Sequence, residues 1–370
     1  MLNMSNIMNK QSGIFIKNLL VLLVIPFILL FIIKYVSYNS INSNKNNFIQ
    51  FEQFKDLSTN PNIERFQLPE NVNIEFLNTS LSQNLYKNMN LIKYFQPNEI
   101  RAKTNHAIEP QAFQDDKYHQ NLIKKYYLEN VSDFSKVEQD AIFKIIMKVS
   151  QKIRKVVKYK SYNWRFAKLS LDTDWNYPYT VDDVIIMPQK FVKNITHFYK
   201  TNNPTVLKSA ENTLIHEWLH IIQRKNQPKF DEYYMKNWNF IPCPYLKQAM
   251  LNNKWIEQYW ITNPDGVNGE WAIQTSKGLL SPLVLLDEDM HTHRKVLVKI
   301  SPSRDSIIIN RNKTGNIPVF FTYEEVPDFL KMVFNISQSY HPNEVFANLV
   351  ADQIMEQRDS PEIDLLNSLR

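Results

Sequence analysis

The chain has 370 residues, 44% of them apolar and 22% charged, enough for one large domain or two smaller ones with a real core. Five glycines leave little material for a glycine-rich phosphate cradle, and a single cysteine, Cys243, excludes an intramolecular disulfide framework. The formal net charge of +6 comes from lysines spread along the chain rather than gathered in a stripe, which reads as a solvated surface and argues against nucleic acid as a partner.

Residues 1–13 are a short tail. Residues 14–33 read IFIKNLLVLLVIPFILLFII, with no polar residue from Leu19 to Ile33. With Lys17 snorkelling, the run approaches the ~20 residues that a bilayer helix needs, and Pro26 is tolerated in lipid. No small-x-small cleavage site follows, so the reading is an uncleaved transmembrane anchor over 14–36, with the lipid bilayer as a partner. Lys10 and Lys17 before the run balance Lys34 and Lys45 after it, so flanking charge does not set the orientation. The bulk of the chain is expected outside the cytosol. The N-x-S/T sequons at Asn78, Asn130, Asn194, Asn312 and Asn335 would then be glycosylation acceptors, although an asparagine-rich chain reaches that number by chance.

Residues 37–60, rich in Asn and Ser, read as a tether, and 61–370 as the folded domain. The stretch 61–130 gives no firm elements. Ser135-Lys-Val-Glu138 is a capping box, and Val137, Ala141, Ile145, Val149, Ile153 and Val156 recur on one face, which predicts a helix over 135–158. YNWRFAKLSL and DDVIIMPQKF predict two strands, the second ending near Pro188. Asn203-Pro204 opens a helix that runs to about Lys225. Residues 256–325 read as a β-rich insertion, with a hairpin turned at Pro-Asp-Gly inside ITNPDGVNGEWAI and strands at KVLVKI and SIIIN. A short helix is expected between Tyr323 and Phe334, and a last one from Pro342 through Met355.

The helix expected over 204–225 carries HEWLH: His216, Glu217 and His220. Two histidines four apart share a helical face and can grip Zn2+, with the glutamate between them poised as a general base. No charge besides Glu217 lies between Thr213 and Gln223, so the histidines are expected to be buried and in need of partners. A third ligand must come from elsewhere. Gln223 and Asn226 stand where a metzincin would place glycine and histidine, which excludes that class. Asp231 and Glu232 lie beyond Pro228, where no helical frame is expected. Glu344, in YHPNEVFANLVAD, opens an amphipathic helix with Asn348 one turn later on the same face, a carboxylate ligand with a polar support behind it.

His216-Glu217-x-x-His220 followed by Asn343-Glu344-x-x-x-Asn348 resembles the gluzincin class of zinc metallopeptidases, the thermolysin-like and neprilysin-like enzymes. The resemblance covers these two motifs, not the whole chain. It departs from the family at Asn348, where an aspartate supports the first zinc histidine, and in the longer gap from His220 to Glu344. It implies a zincin-like α+β domain in which His216, His220 and Glu344 hold zinc, Glu217 is the general base, and a peptide or protein is the substrate. It also implies an oxyanion donor. Here Tyr340, His341, His291 and His293 are candidates, and His293 is the first choice. His291-x-His293 is also a rival metal pair, since alternate strand residues share a face. Two other readings stay open: an inactive membrane-tethered binding protein, and a zinc hydrolase of non-peptide substrates.

Overall fold

The computed structural model describes residues 72–369, apart from short stretches at 90–94, 112–114, 159–161, 172, 202–203, 263–264, 266–269, 288–291, 304–305, 316, 335 and 337–339. The expected anchor and tether fall outside the described residues, as do His291 and Asn203. No described helix is long and apolar enough to cross a membrane. The fold is mixed α+β.

Eleven described strands form two sheets. The first sheet holds β1 (Val72–Phe76), β2 (Val131–Ser132), β3 (Tyr162–Leu169), β4 (Tyr179–Val181) and β5 (Val184–Met187). Its order is β1-β3-β5-β4, with β2 pairing with the end of β3. β1, β3 and β5 run parallel, and β4 is an antiparallel edge strand. A parallel strand is covered on both faces, and alternate residues here enter different cores. Trp164, Phe166, Ile185 and Met187 face the main core, while Ala167, Leu169, Val184 and Ile186 face a smaller one with Ile123 and Tyr127.

The second sheet is antiparallel: β6 (Phe240–Pro242), β7 (Trp271–Thr275), β8 (Gly278–Leu286), β9 (His293–Ser303), β10 (Ser306–Ile309) and β11 (Phe320–Phe321). Its order is β10-β9-β8-β7-β6, with β11 on β9. Ile273, Leu280 and Leu297 join the main core from one face, and Leu283, Leu285, Val296 and Val298 cover Leu246, Met250 and Ile256 on the other. The β-rich stretch is therefore not an excursion; its inner face belongs to the same core as the first sheet.

Helix Lys136–Val156 starts at the capping box, with Glu138 N–H donating to Ser135 Oγ and Ser135 N–H to Glu138 Oε2. It buries Ala141, Ile145, Val149 and Ile153, but Val137, expected on that face, is 45% exposed in the first turn. The Pro-Asp-Gly hairpin does not form with the expected partners. Trp260 bridges to Leu285, whereas Trp271–Thr275 pairs with β6 and β8. Asp265, at the centre of that expected turn, is drawn instead to Arg224 and Thr180. Pro228 does not break the chain either. It sits in the first turn of helix Gln227–Trp238, where its missing N–H costs nothing.

Candidate metal centre

Two helices meet at the site. Helix Pro204–Lys225 buries Leu214, Ile215, Trp218, Leu219 and Ile222 in the main core. Trp218 stacks over Trp164 of β3 with ring centres 6.4 Å apart, which seats the helix on the first sheet. Helix Pro342–Glu356 brings Val345, Phe346, Val350 and Ile354 to the same core. With both apolar faces fixed, the polar residues between them have one place to go.

His216, His220 and Glu344 offer ligand atoms that all lie within 4.8 Å of one another. The two Nε2 atoms are 2.8 Å apart, Glu344 Oε2 is 3.2 Å from His216 Nε2, and Glu344 Oε1 is 3.5 Å from His220 Nε2. Ligands at 2.0–2.1 Å around a tetrahedral zinc lie about 3.3 Å from each other, so the three atoms straddle the required spacing. His220 and Glu344 are buried, while the His216 side chain keeps 16% of its surface exposed, which gives the group one solvent-facing side.

The tautomer of His220 follows from its neighbour. Gln223 Nε2 donates to Tyr234 Oη at 3.0 Å and to the Asn343 carbonyl at 2.9 Å. That fixes Gln223 Oε1 toward His220 Nδ1, 2.7 Å away. An oxygen there requires Nδ1 to carry a hydrogen, so in the neutral ring, the form that binds a metal, Nε2 is the lone-pair nitrogen facing His216 and Glu344.

The site's field is anionic. Burial opposes charge on His220, yet the carboxylates of Asp265, Glu344 and Glu217 outweigh it and push the imidazole up to about 10. Burial, and then the Asp265 carboxylate, push Glu217 well above the usual carboxylate range, with His220 pulling the other way. Glu217 Oε2 is buried without a hydrogen-bond partner among the described residues. Two imidazoles and a carboxylate, with the carboxyls of Glu217 and Asp265 beside them, make a donor set that suits a divalent cation.

Asp265 is held by Arg224 Nη2 at 3.2 Å, and Asn343 Nδ2 donates to its carbonyl at 2.8 Å. Arg224 also donates to Thr180 Oγ1 of β4 and to the Asp182 carbonyl, tying the end of the motif helix to the edge hairpin.

Other expected roles fall out differently. Asn348 donates to the Glu344 carbonyl at 2.8 Å and makes no hydrogen bond to His216; a short amide one turn along a helix reaches its own backbone first. His341 caps its helix, its Nδ1 accepting from Asn343 N–H at 3.1 Å. His293 opens β9 opposite Leu286 and meets the Trp175 ring at 5.5 Å, to one side of the ligand group rather than in it. Asp231 accepts from Gln227, and Glu232 pairs with Lys236 on the exposed face of their helix. Tyr340 stands closer to the site: after burial, the carboxylates of Glu344, Asp265 and Glu217 are what raise its hydroxyl well above its usual range. Gln223 and Asp265 gave no sign of their roles in sequence, since both are set by contacts with residues far along the chain. No protein-family model, curated protein or solved structure matches this chain.

Proposed function

We propose that the chain is a zinc metallopeptidase with a zincin-like catalytic domain, held at a lipid bilayer by residues 14–36. One observation carries the reading: His216 and His220 from one helix meet Glu344 from another, with the unpartnered Glu217 Oε2 in the same anionic pocket. Zinc held by these three residues supplies positive charge that acidifies water and polarises a carbonyl.

The chain's own groups do the rest. Gln223 keeps His220 in the tautomer that presents Nε2. Glu217 Oε2 takes a proton from the attacking water and returns it to the leaving amine, a task suited to a buried carboxyl whose affinity for a proton is raised. Tyr340 replaces His293 as the oxyanion donor, because its hydroxyl lies in the field of Glu344 and Glu217. β4, the outermost strand on its side of the sheet and tied to the motif helix through Arg224, offers an edge on which an extended peptide can pair.

Glu217→Gln tests the proton-transfer role. The variant keeps its zinc and loses about 10²–10⁴-fold of the hydrolysis rate on a peptide mixture followed by mass spectrometry. A variant that cuts as fast as the parent rules out Glu217 as the base, and a parent that cuts nothing, zinc-loaded, moves the inactive binding-protein reading to the front.

A further inference from the structure

The face of the second sheet beside the metal group carries a lysine that the catalytic reading does not use. In the β8–β9 register His293 lies opposite Leu286 and Lys295 opposite Val284. Directly paired antiparallel residues share a face, so these four side chains stand on one side of the sheet. It is the side on which Leu297 and Leu280 enter the main core with the motif helix. Val284 and Leu286 form a small apolar floor against which Trp175 and Tyr340 pack. Above that floor, the Lys295 ammonium sits 6.0 Å over the Tyr340 ring, and the His293 ring meets Trp175 at 5.5 Å. Tyr340 is four residues before Glu344, so the wall runs from the loop ahead of β4 to the metal group.

Trp175 is held on this wall by an anchored backbone. Asp174, Trp175 and Asn176 have φ of 49°, 53° and 65°, a left-handed run that residues with side chains adopt at a cost. Tyr127 Oη donates to both Asp174 carboxylate oxygens, at 3.0 and 3.1 Å, and Lys103 Nζ lies 3.1 Å away, all of them buried. The fold maintains this turn, and the turn keeps Trp175 against His293.

Lys295 is half-buried and has no hydrogen bond or ion pair among the described residues. Burial lowers its pKa, and the charge that pulls back is Glu344. Once Glu344 is committed to a metal ion, that pull weakens, and a half-buried ammonium is left short of a counter-charge.

We propose that Lys295, flanked by His293 and Trp175, is a specificity residue that binds a carboxylate of the substrate, so that the chain prefers peptides bearing a free C-terminus or an acidic side chain close to the scissile bond. The inference rests on the metallopeptidase reading for the word substrate, but the lysine's role as an anion anchor can be tested without turnover.

The test uses the full-length, zinc-loaded chain and its Lys295→Met and Lys295→Glu variants. The probe is a dye-labelled hexapeptide ending in glutamate, titrated by fluorescence anisotropy beside its C-terminal amide, its glutamine counterpart, and the peptide lacking both carboxylates. The parent binds the carboxylate forms about tenfold more tightly than the neutral one, as expected for one charge-assisted contact, and Lys295→Met removes that margin. Lys295→Glu shifts the preference toward a lysine-ended peptide. Loss of the margin on amidation alone assigns the free C-terminus; loss with glutamine alone assigns the acidic side chain. Equal binding of charged and neutral peptides by the parent, no binding by the parent, or an unchanged margin in Lys295→Met overturns the proposal. The metallopeptidase reading fails separately, if the parent binds the carboxylate peptide yet hydrolyses none in a peptide mixture.

Discussion

Gln223 bears on the proposed metal centre through His220, whose Nδ1 it meets on the side of the ring away from His216 and Glu344. Its amide is buried and committed at three points, to His220, Tyr234 and the Asn343 carbonyl, so it joins the two ligand helices as well as orienting the ring. Gln223→Leu removes the acceptor at His220 Nδ1 and frees the imidazole to present a protonated Nε2. Zinc affinity should then fall about 10–100-fold in a competition titration with a chromophoric chelator. Asn348→Ala, by contrast, deletes only an amide bonded to its own helix, and zinc affinity should stay nearly unchanged. A large loss at Asn348 with none at Gln223 would invert this account of which side chain supports the ligands.

At the scale of elements, a buried carboxyl fastens one short helix to the second sheet. Helix Pro97–Lys103 is joined to the chain before β7 by Glu99, whose Oε1 accepts from Thr262 N–H at 3.0 Å and from Thr262 Oγ1 at 2.5 Å. Burial raises Glu99 to about 7 although Lys103 and Thr262 oppose it. In the unfolded chain the same carboxyl titrates near 4.5. Between about 4.5 and about 7 the folded state therefore holds a proton that the unfolded state has released. Its contribution to stability is full below that window and is lost as pH rises through it. Glu99→Gln stays neutral at every pH, so the melting temperature of the variant should fall less than that of the parent across this range. Parallel pH profiles for the two proteins would show that Glu99 is ionised throughout in the folded state.

The elements differ in how far they could be read in advance, for physical reasons. Helix Lys136–Val156 and helix Pro204–Lys225 announce themselves because cap, periodicity and length agree locally. Helix Asp116–Asn130 does not: it buries only His119, Ile123 and Tyr127, a stripe one residue wide that leaves no apolar face in sequence. The edge strand β4 is three residues long and is defined by its pairing with β5 rather than by any pattern of its own. The Pro-Asp-Gly segment carries a turn signal, but Arg224 recruits Asp265 and the flanking chains find other partners. The two candidate metal histidines are legible because their spacing is local. Glu344 is legible because the first motif demands a third ligand. Tyr340 stands out only as a neighbour of the Glu344 helix, and the roles of Gln223 and Asp265 are not legible, because each is set by contacts with residues far along the chain.

For the whole molecule, one core joins both sheets and both ligand helices, so the site is built where the largest packed surfaces meet. Its carboxyl groups are gathered there at a cost, since Glu217, Glu344 and the Asp265 side chain are all buried. A divalent ion bound there would offset that cost, and its binding should be linked to the pairing of helices Pro204–Lys225 and Pro342–Glu356. The most direct measurement is zinc content by elemental analysis of the full-length chain and of Glu344→Ala, with circular dichroism on both to establish that each is folded. The account predicts about one zinc per chain in the parent and loss of most of it in the folded variant. A variant that keeps its zinc would make Glu344 a helix-end glutamate and nothing more, and a parent that holds none would remove the metal centre.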